Sequence, residues 1–188
     1  MSERATTVLL SLAVFTFSSN AAGANAKVEK QAELCVICHK VDNSLFAPAL
    51  EGQTREYLYR QMLAYKEKRR PYSTMQTNVS SLTNDEMREI AAYFAAQKPL
   101  RTTLPISAEK AARGKTVVEK LECASCHQPD YSGRSEIPRL AGMNPRYLQW
   151  QLISFSADSR PHPAISCSRP ISGPDAEDIA QFLAQLGQ

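Results

Sequence analysis

The chain has 188 residues, with 22 Lys and Arg against 19 Asp and Glu for a formal net charge of +3, and 43% of its residues are hydrophobic. That length fits one ordinary domain or two small ones, and neither half carries the basic excess that would argue for a nucleic-acid partner. Five cysteines, an odd number, leave one thiol to be explained.

At the N-terminus Arg4 precedes an apolar run from Val8 to Phe17, followed by small residues ending AGANA at Ala26. This is the plan of a secretory signal peptide, with Ala24 and Ala26 forming the cleavage site. The apolar run is about half the roughly 20 residues needed to span a bilayer. Removal of residues 1–26 would leave a mature chain starting at Lys27, still near +3, in an oxidising compartment where an unpaired cysteine is unusual.

The mature sequence repeats itself. CVICH at 35–39 returns as CASCH at 123–127, PALEGQTREYLYRQMLAY from Pro48 returns as PRLAGMNPRYLQWQLISF from Pro138, and LTNDEMREIAAYFAAQ from Leu82 returns as ISGPDAEDIAQFLAQL from Ile171. Three blocks in one order indicate a duplicated domain. The units span 27–98 and 107–188, joined by a linker at 99–106 with two prolines and no apolar period.

Each unit has a helical period. Thr54 can cap a helix whose Tyr57, Leu58, Met62 and Tyr65 share a face, and Lys66-Glu67-Lys68-Arg69-Arg70 reads first as a solvated helix end, second as a docking patch for an acidic partner. Thr83 and Glu86 have capping-box spacing, followed by Met87, Ile90, Ala91 and Phe94 on one stripe. Ser107 can cap a helix running toward Cys123, and Ile179, Ala180, Leu183 and Leu186 form the closing stripe. No segment alternates as a strand, so the fold reads as all-α, two small tandem domains. Domains this small bury little apolar surface alone.

Covalently attached haem would complete both cores. In each CxxCH motif Cys35 and Cys38, or Cys123 and Cys126, can form thioethers with one macrocycle, placing His39 or His127 beneath the iron. Zinc frameworks place their two cysteine pairs far closer together than 35/38 and 123/126, and a thioredoxin-like pair needs a βαβ context. The expectation is two covalently bound haem c groups.

With these motifs, the PALEGQ and PRLAGM segments, and the YLYRQM and YLQWQL helices in place, the chain resembles the diheme cytochrome c4 family over essentially all of the mature sequence. The resemblance implies two class I cytochrome c domains facing each other in a periplasmic electron carrier. Its partners would be redox proteins, a periplasmic dehydrogenase or membrane donor and a terminal oxidase or other acceptor, with peripheral association with membrane complexes and no nucleic acid. It further implies that the carbonyls of Pro48 and Pro138 accept the Nδ1 hydrogens of His39 and His127.

Met75, in a loop before the last helix of the first unit, is the expected sixth ligand there. The second unit departs from the pattern: Ala164 or Ile165 falls at the corresponding place, and Met143 lies opposite Gln53, too early to serve. Cys167, two or three residues later, leads as a thiolate ligand against the alternative of a packed structural thiol. His162, two or three residues earlier, is the next candidate, and an open or water-bound iron is the third. Arg160 and Arg169, near Cys167, read first as surface arginines and second as residues that could attract a sulfur oxyanion. An electron carrier with unequal haems is favoured over a haem enzyme of thiosulfate dehydrogenase-like or peroxidase-like type acting at the second haem, and a ligand sensor ranks last for want of an output domain.

Overall fold

A computed structural model of the chain describes residues 20–40, 42, 47–160, 162 and 171–186. Cys167 and the apolar run at 8–17 lie outside the described residues. Eight helices are described: α1 (Asn20–Cys38), α2 (Arg55–Lys66), α3 (Ser73–Val79), α4 (Asn84–Ala95), α5 (Ala108–Lys120), α6 (Ala124–His127), α7 (Pro145–Ser156) and α8 (Gly173–Gln185). No strand occurs among the described residues, only an isolated bridge between Arg134 and Ile137. The all-α expectation holds.

The two units build similar packings. In the first, α4 packs against α1 and α2; in the second, α8 packs against α5 and α7. One core joins Val28, Ala32, Leu58, Ile90, Ala91 and Phe94, the other Val118, Tyr131, Met143, Tyr147, Leu148, Ile179, Ala180 and Leu183. The stripe read from Met87 to Phe94 is wholly buried. Helix α1 runs through the expected cleavage point, and Val28 and Ala32 on it are buried.

Start signals act as read, with one exception. Thr83 and Glu86 form the reciprocal capping box, and Ser107 accepts from the Lys110 N–H. Thr54 stands at the N-cap of α2 but its side chain caps nothing; instead the Gln53 amide oxygen accepts from the Thr54 N–H at 2.9 Å. The α5–α8 crossing is closed by Gly114, where a Cβ would land on the carbonyl oxygen of Asp178. Asp178 also takes a two-pronged bond from Arg113 at 2.7 and 2.9 Å, tying the same crossing from its rim.

The linker is packed. Pro99 lies against Gly52, whose φ of +65° and lack of a side chain permit the approach. The Thr102 N–H donates to the Gly142 carbonyl at 2.8 Å, and Asp42 accepts from the Thr102 hydroxyl and the Thr103 N–H. Residues of both units thus grip the segment between them.

Candidate haem sites

Each CxxCH motif is folded as one helical turn, so thiols at i and i+3 and an imidazole at i+4 fall on one side. In the first unit the turn is the end of α1, closed by the His39 N–H on the Cys35 carbonyl at 3.0 Å. In the second, α5 stops at Lys120, Glu122 adopts φ 54°, and α6 carries Cys126 and His127, closed by the His127 N–H on the Cys123 carbonyl at 3.1 Å. All four cysteines are free thiols, Cys35 and Cys123 half-buried and Cys38 and Cys126 exposed.

Both imidazoles are anchored as the resemblance implied. Nδ1 of His39 donates to the Pro48 carbonyl at 2.7 Å, and Nδ1 of His127 donates to the Pro138 carbonyl at 2.9 Å. Because a carbonyl can only accept, Nδ1 carries the proton and Nε2 keeps its lone pair for a metal. Burial holds the His39 pKa below its ordinary value; the Pro48 bond and the Glu51 charge offset this only in part, and the Arg70 charge adds to it. The ring therefore stays neutral near pH 7, as a ligand must.

Met75 is half-buried within α3, a helical turn where a loop was expected. The His162 ring lies 6.4 Å from the His127 ring, centre to centre and inclined by 35°, and stands edge-on to Phe155 at 4.8 Å.

Sequence reasoning missed the interface between the units. Arg70, read as part of a solvated helix end, is buried at 9% exposure, while Lys66, Glu67, Lys68 and Arg69 are exposed. Its Nη1 donates to Gln61 at 2.7 Å, and its Nη2 to Gln151 at 3.1 Å and Tyr147 at 3.4 Å. Arg160, read as a surface residue, mirrors this: Nη2 donates to Tyr57 at 2.9 Å and Gln61 at 3.2 Å, and Nη1 to Gln151. The repeat alignment already paired Arg70 with Arg160, Tyr57 with Tyr147 and Gln61 with Gln151. A second strap joins Gln53, whose amide donates to the Arg139 carbonyl at 3.0 Å and accepts from its N–H at 2.7 Å.

These cations test whether haem fits. Among the described residues the hydrogen-bond partners of the Arg70 and Arg160 guanidiniums are neutral amides and phenols, with no carboxylate. A buried and a half-buried guanidinium sharing neutral acceptors make a costly arrangement without an anion. Arg139, next to the Pro138 anchor, has its Nε buried and unpartnered, and its pKa is pushed down to about 10 by burial and the nearby Arg101 charge, against Glu51. A macrocycle bearing two carboxylates answers both needs, so the donor set fits haem in charge as well as in ligand type.

Residues 111–187 match the Cytochrome c family model. Cytochrome c4 of Pseudomonas aeruginosa is 31% identical over 99% of this chain and all of its own length. The thiosulfate dehydrogenase electron acceptor of Stutzerimonas stutzeri is 28% identical over 82% of this chain and 79% of its own. Among solved structures, cytochrome c4 of Acidithiobacillus ferrooxidans superposes with a TM-score of 0.74 at 26% identity, covering 82% of this chain and 99% of that one.

Proposed function

The chain belongs to the cytochrome c4 family, and from that premise we infer that it is a periplasmic two-haem electron carrier passing electrons from a dehydrogenase to a terminal oxidase or another acceptor. Haem c, when bound, supplies a one-electron ferric/ferrous couple. In this reading Cys35 and Cys38 hold the first group, with His39 and Met75 as axial ligands. Cys123, Cys126 and His127 hold the second.

The observation that carries the reading is the matched anchoring of His39 on Pro48 and His127 on Pro138, which fixes one imidazole beside each cysteine pair. Both rings are fixed before any electron moves, which favours little reorganisation on transfer. Arg70 and Arg160 bring positive charge to the seam between the sites and would favour the reduced state of both. A sulfur-compound dehydrogenase is a fitting donor class, given that the relative from Stutzerimonas stutzeri is named as an acceptor for such an enzyme. No helix among the described residues is long and apolar enough to cross a membrane, so contact with membrane oxidases would be peripheral.

The test is haem content and electron exchange in the purified periplasmic protein. Two haems per chain, reduction by a thiosulfate dehydrogenase and reoxidation by an oxidase-containing membrane fraction are expected. One haem per chain, or turnover of thiosulfate, tetrathionate or peroxide by the protein alone, would overturn the reading.

A further inference from the structure

We propose that His162 is the sixth ligand of the second haem, so that its iron lies between the imidazoles of His127 and His162. The inference rests on the reading that CASCH carries a haem.

Three observations converge on this pairing. The first is the separation of the rings. Two imidazoles bound to one first-row metal from opposite sides through bonds of about 2.0–2.1 Å, with each ring centre about 1.2 Å beyond its nitrogen, would have centres about 6.4 Å apart. The His127 and His162 rings are 6.4 Å apart. Their 35° inclination is compatible with two rings sharing one metal axis at different rotations.

The second observation is the fixed role of His127. Its Nδ1 is held by the Pro138 carbonyl and its side chain is buried at 6% exposure, so the ring is fixed and Nε2 is the nitrogen through which it would bind a metal. The third is the support of His162. Phe155, on α7, packs edge-on against its ring, and the Arg160 guanidinium lies 4.8 Å from the other partner of that contact, the Phe155 ring centre. Arg160 is itself fixed across the interface by Tyr57 and Gln61. A chain of contacts from the first unit thus holds Arg160 and, through it, the Phe155 ring that His162 leans on.

The repeat explains why a histidine can stand two residues after Arg160 while the methionine stands five after Arg70. In the first unit the chain enters α3 before reaching Met75. In the second, the ligand comes from the segment immediately after the arginine that both units hold. Two imidazoles donate more charge than an imidazole and a thioether, which favours ferric iron and lowers the second potential below the first. Electrons would then enter at the second unit and leave from the first.

The experiment is low-temperature EPR and near-infrared magnetic circular dichroism of the ferric holoprotein, in wild type, His162→Ala, His162→Met and Cys167→Ser, with haem content measured alongside. The wild type is expected to show half its haem as bis-imidazole low-spin. His162→Ala converts that half to high-spin, added imidazole restores it, and Cys167→Ser leaves it unchanged. His162→Met gives a second methionine-ligated haem with a raised potential. A thiolate signal lost in Cys167→Ser, a high-spin second haem in wild type, or spectra unchanged in His162→Ala overturns the proposal. The wild-type circular dichroism alone separates imidazole from thioether and thiolate, so a misfolded variant does not remove the test. A wild type with a single haem would instead fail the two-haem reading beneath it.

Discussion

Arg70 and Arg160 meet at one atom: the amide oxygen of Gln61 accepts from Arg70 Nη1 at 2.7 Å and from Arg160 Nη2 at 3.2 Å. Gln151 does the same from the other side of the interface. Two cations drawn to shared neutral acceptors repel one another, and the haem carboxylates are the anions that would relieve this. Removing either charge favours the ferric state. Arg70→Gln and Arg160→Gln should therefore each lower both reduction potentials by tens of millivolts, with less dependence on salt for Arg70, which is buried, than for the half-buried Arg160. Redox titration at two ionic strengths measures this, and potentials unchanged in both variants would show that these arginines do not face the haems.

The α5–α8 crossing predicts a stability effect far from any ligand. A Cβ at position 114 meets the Asp178 backbone, which cannot rotate away as a side chain could. Gly114→Ala should force the helices apart at a cost of about 3 kcal/mol and lower Tm by roughly 10 °C or more. Calorimetry of the holoprotein checks it. A Tm within a degree or two of wild type would mean that α5 and α8 cross less closely.

Local chemistry was legible in the sequence and long-range burial was not. The Thr83–Glu86 box and the stripe on α4 depend on residues within a few positions of one another and form as read, while on α8 Ile179, Ala180 and Leu183 are buried and Leu186 lies just past the helix end. Arg70 belongs to a charge run that ordinarily stays in water, and its burial depends on Tyr147 and Gln151 in the other unit. Its likeness to Arg160 in the repeat was the available signal, because an arginine kept at the same place in both copies points to their common seam. The α3 turn was hidden for another reason: STMQTNV has two threonines and a valine, poor helix formers with no clear apolar stripe, and only its packing on α2 decides its shape.

Met75 can be tested separately from the second site. Met75→Ala should abolish the red absorption band of methionine-ligated ferric haem and lower the first potential by on the order of 0.1 V, leaving the bis-imidazole signal of the second haem in place. Optical spectra and potentiometry read both. Persistence of the band in Met75→Ala would assign the thioether to another methionine.

The Lys27–Glu86 pair ties the start of the buried α1 face to the cap of α4, with Nζ to carboxylate at 2.5 Å. The Lys27 bond and the Thr83 backbone and hydroxyl bonds hold the Glu86 pKa down to about 2, against an ordinary 4.5. A carboxyl depressed on folding contributes stability that is fully present above its unfolded pKa and is lost as pH falls through the folded one. The window here runs from about pH 4.5 down to about 2. Glu86→Gln keeps an acceptor for the Thr83 N–H and removes the charge, so it isolates this contribution. Its Tm should lie below wild type at pH 7, and the two should converge as pH falls across that window. Added salt should narrow the gap at pH 7, because the Lys27 side chain is 65% exposed. A gap constant from pH 7 to pH 2 would place the effect in the cap geometry and leave the ion pair without a part in it.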